Sequence, residues 1–328
     1  MKFVDHIEVN ELFKRCEGKS VGIVTHVNPD GDGLGAALAL SYCLENVYFA
    51  EPIIVMETKF PETLGFLVQE SGIRVQKSID DSFDLLVVLD CHEKDRVDAD
   101  IGIFDLANEI VVIDHHVFKG DDMKGAVYYI DSSAVSTGVM VNRFLYKHVK
   151  AVNADWKKDY ADCIYATILN DTDNFINSNT DKETFQVVSD LMELGLKPHV
   201  ITNQFLYRKS IYYYRFIGAV LSTIEVRNKI AMYQATLKML ADNQQTTEAY
   251  AKMMRWTKGS YDVDLQVLFQ EYEGGLYRIG LRSELHDVAK IAQHFGGGGH
   301  VKASGFEIKG EFDLVKNEVI KYIESVIT

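Results

Sequence analysis

His26-Val27-Asn28-Pro29-Asp30-Gly31-Asp32-Gly33-Leu34-Gly35 follows the apolar run Val21-Gly22-Ile23-Val24-Thr25 and opens an Ala- and Leu-rich stretch that reaches Glu45. A short β-branched run, a glycine-punctuated turn and a long apolar segment read as strand, loop and helix. In an open parallel sheet the ligand crevice lies outside the carboxyl ends of the strands, so His26, Asp30 and Asp32 are expected there. An imidazole with two carboxylates suits a borderline-hard divalent cation such as Mn²⁺; a softer ion would call for thiolates. The spacing gives no G-x-G-x-x-G, no Gly-Lys-Ser/Thr and no EF-hand loop. A plain Asp-Gly turn is the bland reading of this segment taken alone.

Two more strand ends weigh against that reading. Leu85-Leu86-Val87-Val88-Leu89 ends on Asp90, and Ile110-Val111-Val112-Ile113 ends on Asp114-His115-His116. A lone Asp after a strand is more often a turn or cap residue than a ligand. Three strands delivering His or Asp at the same end are a pattern. A fourth carboxylate, Asp171, follows a helical stretch in Asn170-Asp171-Thr172-Asp173-Asn174-Phe175.

These units imply an α/β fold with a parallel sheet and helices on both faces. The first domain is set at 1–190, with helices over 134–148, 155–169 and 181–194. Residues 191–215, with Gly195 and Pro198 and then a Tyr-rich run, read as a linker. Beyond it, 216–328 reads as a smaller mixed-sheet α/β domain. Its signals are hairpins around Arg227-Asn228-Lys229 and Glu273-Gly274-Gly275, and helices near 247–256, 287–295 and 312–326. The first nineteen residues fit an amphipathic helix on Phe3, Val4, Ile7, Leu12 and Phe13.

The second chemical signal is Phe295-Gly296-Gly297-Gly298-Gly299-His300-Val301-Lys302-Ala303-Ser304-Gly305. Bare backbone at Gly297, Gly298 and Gly299 can bring several N–H groups onto one phosphate. His300 and Lys302 add donors, and Arg282 on the preceding strand can grip a phosphate bidentately. A flexible linker is the bland alternative, but the segment lies inside a domain.

The chain resembles the DHH superfamily of phosphoesterases, named for the Asp-His-His found here as Asp114, His115 and His116. The first motif matches His26 to Gly35 nearly in full, and Asp90 stands where the second is expected. The fourth usually reads Asp-Thr-Gly, so Asp173 is a departure. The glycine loop resembles that of the substrate-binding domain which accompanies many DHH domains. Length and motif order are similar to the nano-RNase and pAp phosphatase branch.

That resemblance implies two divalent metal ions, manganese first among them. His26 and Asp30 would hold one; Asp32, His115 and Asp171 the other; Asp90 would bridge them. His116 would contact the phosphate or leaving group, and Asp114 would support the histidines from behind. Arg96 could serve a phosphate or be a solvated surface residue. His92 could be an extra ligand, with an ordinary surface histidine the favoured reading. The implied substrates are pAp (3′-phosphoadenosine 5′-phosphate), dinucleotides and very short single-stranded oligonucleotides. Linear or cyclic dinucleotide phosphodiesterase, pyrophosphatase or exopolyphosphatase, and silent nucleotide-binding regulator stay open as alternatives. A homodimer through the first domain is compatible with the resemblance.

Composition sets bounds. The 328 residues carry a net charge of −14, with 34 acidic and 21 basic residues in 1–215 against 14 and 13 in 216–328. That excess argues against a long-duplex binder held by a basic face. No apolar run is of membrane-spanning length. The four scattered cysteines form no C-x-x-C, so a reducing, cytoplasmic setting is expected.

Overall fold

The computed structural model describes residues 2–68, 72–78, 81–118, 120, 123, 125–250 and 253–327. It divides into two units, Met1–Arg208 and Lys209–Thr328. In the first, the strands are β1 (Lys2–Phe3), β2 (Ser20–Val24), β3 (Glu51–Val55), β4 (Val75–Gln76), β5 (Phe83–Leu89), β6 (Ala107–Asp114) and β7 (Val127–Ile130). They pair in the order β1-β7-β6-β5-β2-β3-β4, all parallel. The helices are α1 (His6–Phe13), α2 (Gly31–Asn46), α3 (Thr137–Ala151), α4 (Trp156–Asp171), α5 (Lys182–Glu193) and α6 (Pro198–Thr202).

Strand side chains alternate between faces. Leu85, Val87 and Leu89 of β5 join a core with α1, α2, α3 and α4, while Leu86 and Val88 join a separate core on the other side. Helices were expected on both faces. The second face is covered instead by a 3₁₀ stretch at Ile101–Leu106, through Ile103 and Phe104, and by Val97, Met123 and Phe118. These segments are too short and too irregular to carry a helical period. Helix α2 is apolar almost all round because it is buried almost all round, from Leu34 to Leu44.

The region read as a linker is not plain connector. It holds α6, a π-helical turn at Asn203–Tyr207 and the start of α7 (Ile211–Leu221). In the second unit, β8 (Glu225–Arg227), β9 (Ile230–Ala235), β10 (Leu265–Tyr272), β11 (Leu276–Arg282), β12 (Gly298–His300) and β13 (Ala303–Lys309) form a mixed sheet, order β12-β13-β11-β10-β9-β8. Only β9 and β10 run parallel. Helices α9 (Val288–His294) and α10 (Phe312–Val326) pack on one face; α7 and the short α8 (Leu237–Asp242) pack on the other. The helix expected near 247–256 is two 3₁₀ turns, Thr247–Tyr250 and Met253–Thr257, with Ala251 and Lys252 outside the described residues. No helix among the described residues is long and apolar enough to cross a membrane.

Candidate active site

Parallel register decides which residues meet. β2, β5 and β6 are adjacent, so the residues leaving their carboxyl ends, His26, Asp90 and Asp114 to His116, emerge side by side. The loop after β2 turns sharply into α2. A Cβ on Gly33 would lie 2.2 Å from Thr25 Oγ1 and 3.3 Å from the His26 ring, so only glycine lets the helix start here. Asp30 caps that helix, its Oδ1 accepting from the backbone N–H groups of Asp32 and Gly33.

Three groups of metal-capable atoms result: His26 with Asp30 and Asp90, Asp32 with His115 and Asp171, and Asp90 with His115 and His116. His26 Nδ1 donates to the Val27 carbonyl, which leaves Nε2 facing Asp90 Oδ2 at 3.4 Å and Asp30 Oδ1 at 3.8 Å. His115 Nδ1 points at the Ala134 carbonyl, and its Nε2 lies 3.3 Å from Asp171 Oδ2 and 3.6 Å from both Asp32 Oδ2 and Asp90 Oδ1. A backbone carbonyl on one ring nitrogen fixes the tautomer whose other nitrogen can ligate.

The charges strain against one another without a cation. Burial, then the charges of Asp90 and Asp171, push the Asp32 carboxyl well up. Burial, partly offset by His115, carries Asp171 up to about 6. Burial disfavours a charged His26, yet Asp30 and Asp90 outweigh it and raise its pKa to about 10. Asp171 Oδ2 is buried with no hydrogen-bond donor. An oxygen-rich, imidazole-capped set with an orphaned carboxylate oxygen fits a divalent metal ion.

Around these groups stands a shell of donors that sequence reading did not single out. The first backbone N–H groups of α3, at Thr137 and Gly138, donate to Asp32 Oδ2 and Oδ1 at 2.8 and 3.0 Å. This helix N-terminus is spent on the carboxylate. The Thr137 hydroxyl donates to Asp90 Oδ1 at 3.1 Å. Asn170 Nδ2 links Asp30 Oδ2 and Asp171 Oδ1 at 2.9 and 2.8 Å. A Ser-Thr-Gly helix start and an Asn beside the ligand were the available signals.

Asp114 was expected behind both histidines. It is fully buried, and its Oδ1 accepts from His116 N and Nδ1, but His115 is held by Ala134 instead. Its second partner is His92, which donates from Nδ1 to Asp114 Oδ2; His92 is buried, not the surface histidine favoured from sequence. Burial works to raise the Asp114 carboxyl, but hydrogen bonds from His116 and His92 hold it below the usual carboxylate range. That same Asp114 bond raises the His116 pKa against the opposing effect of burial. Arg96 is half exposed, 3.8 Å from Glu93, while its carbonyl accepts from Val27 N. Asp173 stands in the left-handed region, φ 47°.

In the second unit the glycine stretch, read as a loop, is an edge strand. Gly298, Gly299 and His300 pair with Gly305, Ser304 and Ala303 of β13. Gly299 has φ 137°, and a Cβ there would meet Ala303 O and Ser304 Cα at 2.7 Å, so close backbone approach demands glycine. Arg282 pairs with Ala303 on its other side, so Arg282, Ala303 and His300 stand in register on one sheet face, the outer two about 10 Å apart. Lys302 is exposed in the β12–β13 turn, and its carbonyl accepts from Ser283 N.

Comparison with known proteins agrees with this anatomy. Residues 20–168 match the DHH family N-terminal domain and residues 232–328 match the DHHA1 domain. The bifunctional oligoribonuclease and PAP phosphatase NrnA of Thermus thermophilus is 29% identical over 330 residues, spanning 98% of this chain and 94% of that protein. The Bacillus subtilis protein of the same name is 25% identical, spanning 86% of this chain and 87% of its own length. The crystal structure of an exopolyphosphatase-related protein from Bacteroides fragilis shares the fold, with a TM-score of 0.83 at 23% identity over 98% of this chain and 94% of that one. The chain thus carries a DHH family N-terminal domain followed by a DHHA1 domain, and it is similar over most of its length to these oligoribonuclease and PAP phosphatase relatives.

Proposed function

We propose that this chain hydrolyses pAp to AMP and degrades very short oligonucleotides, using two divalent ions, Mn²⁺ foremost, in a reducing, cytoplasmic setting. The observation that carries the reading is the pairing of three overlapping His/Asp clusters with a separate basic and glycine-rich strand end. His26, Asp30 and Asp90 would hold one ion, and Asp32, His115, Asp171 and Asp90 the other. Bound there, the ions supply Lewis acidity toward the phosphoryl oxygens and make water a competent nucleophile at neutral pH.

The side chains do the rest. His26 and His115 keep their Nε2 atoms turned to the carboxylates through backbone hydrogen bonds at Nδ1. Asp90, which would be a ligand to the ions, has its carboxylate oriented by the hydrogen bond from the Thr137 hydroxyl. His116, with Nδ1 on Asp114, turns its other nitrogen toward the phosphoryl group or the departing oxygen, where it stabilises charge or delivers a proton. Arg282, His300 and Lys302 anchor the substrate's second phosphate or terminal nucleotide, with Gly297, Gly298 and Gly299 providing bare backbone. The proposed substrates are accordingly pAp and dinucleotides rather than long strands.

The test is a hydrolysis panel with Mn²⁺: pAp, pApA, cyclic di-AMP, short RNA and pyrophosphate. The expected order puts pAp and dinucleotides first. Asp90→Ala should lower phosphate release from pAp by about three orders of magnitude while its circular dichroism stays that of the parent. Turnover of pyrophosphate alone, or a fully active Asp90→Ala variant, overturns the proposal.

A further inference from the structure

Asp114 has two carboxylate oxygens to satisfy at a position with no solvent access. Oδ1 is taken by the His116 backbone N–H at 3.0 Å and by His116 Nδ1 at 2.8 Å. Oδ2 is taken by His92 Nδ1 at 2.5 Å. His92 is only 4% exposed, and its ring centre lies 5.2 Å from that of Phe118. Phe118 in turn packs edge-on against Phe3 and Tyr128. The imidazole is clamped between an aromatic wall and a carboxylate.

The terminal torsion of an aspartate is soft, so hydrogen bonds to one oxygen alone leave the carboxylate plane free to rock. Donors on both oxygens, arriving from β5's end and from the turn after β6, remove that freedom. We propose that His92 is a positioning residue for hydrolysis: it pins Asp114, and Asp114 pins His116 in the rotamer and tautomer that present its free nitrogen to substrate. The inference rests on the role given to His116 above. A ligand role for His92 fits less well, because its Nδ1 is committed to Asp114 and none of the metal-capable groups among the described residues includes it. Losing His92 would leave a buried carboxylate oxygen without a donor, a fault felt first by the other residue bound to that carboxylate.

The experiment measures kcat, KM and Mn²⁺ affinity of the full-length chain on pAp for the wild type, His92→Leu, His92→Asn, His116→Ala and the His92→Leu/His116→Ala double variant. His92→Leu should lower kcat about 10- to 100-fold, with KM and Mn²⁺ affinity within about threefold of wild type. His92→Asn puts an amide donor where Nδ1 stands and should recover most of that loss. In the His116→Ala background His92→Leu should cost less than about twofold more, since the residue it acts through is gone. Three results overturn the proposal: an unchanged kcat in His92→Leu, an equal loss in His92→Asn, or a multiplicative loss in the double variant. Should His92→Leu show no melting transition, His92→Gln, which moves the donor off the Nδ1 position, replaces it in the same comparison. Wild-type activity on pAp reports separately on the proposed function; if another substrate of the panel is the one hydrolysed, the ratios are measured on that.

Discussion

Asp90 sits at φ 60°, in the left-handed region that an L-residue with a side chain enters at a cost of about 1 kcal/mol or more. The strand has to turn away from the sheet in one residue, and the aspartate itself makes that turn, which aims its carboxylate at His26, His115 and Thr137 at once. The Thr137 hydroxyl then decides which way the carboxylate faces. Thr137→Val keeps the shape, the backbone donors to Asp32 and the α3 start, but removes that one hydrogen bond. Isothermal titration with Mn²⁺ should show about 10- to 100-fold weaker binding at one site, with the melting temperature of the metal-free protein little changed. Equal affinity for both proteins would mean that Thr137 plays no part in orienting Asp90.

At the scale of elements, turn chemistry offers the cleanest handle. Asn228 and Lys229, between β8 and β9, have φ of 50° and 61°, the pair of left-handed residues that a type I′ hairpin turn requires. Asn suits its place; Lys does not. Lys229→Gly gives up an exposed ion pair with Asp264 worth a few tenths of a kcal/mol and relieves about 1 kcal/mol of backbone strain. Calorimetry should show the second unit melting a few degrees higher. This hairpin, and the one joining β10 to β11, were legible because local residues dictate local turns. The β2, β5 and β6 ends were legible because His and Asp at the end of an apolar run stand out chemically. Other features were not. β1 is two residues long and is held by pairing with β7, more than a hundred residues away in sequence. The 3₁₀ cover on the second sheet face has no usable period. His92, Thr137 and Asn170 reveal their roles only through hydrogen bonds between elements, which no sequence window contains.

For the molecule as a whole, the crowded carboxylates and imidazoles tie stability to pH. His26 has its pKa raised from 6.5 to about 10, so its contribution is complete below about pH 6.5 and is lost as pH climbs through 10. Asp171 is raised from 3.8 to about 6; the protonated folded form is favoured at low pH, and that advantage fades as pH rises through 6. Both act in one direction. In chelator, the melting temperature should fall steadily between pH 6 and pH 9.5. Saturating Mn²⁺ should raise it more at pH 9 than at pH 6, because ions and protons compete for the same atoms. A chelated protein that grows more stable with rising pH would contradict these assignments. The ligand candidates come from segments as distant as His26 and Asp171, brought to one spot only by the register of the sheet and the seating of α4. Scattered origin has a practical corollary. No proteolytic fragment of the first unit should retain the ion grip of the intact chain, so manganese retention through a spin column becomes a census of intact molecules, and a lesion deep in the packing, such as Tyr160→Ala, should register there though it lies outside every one of these clusters.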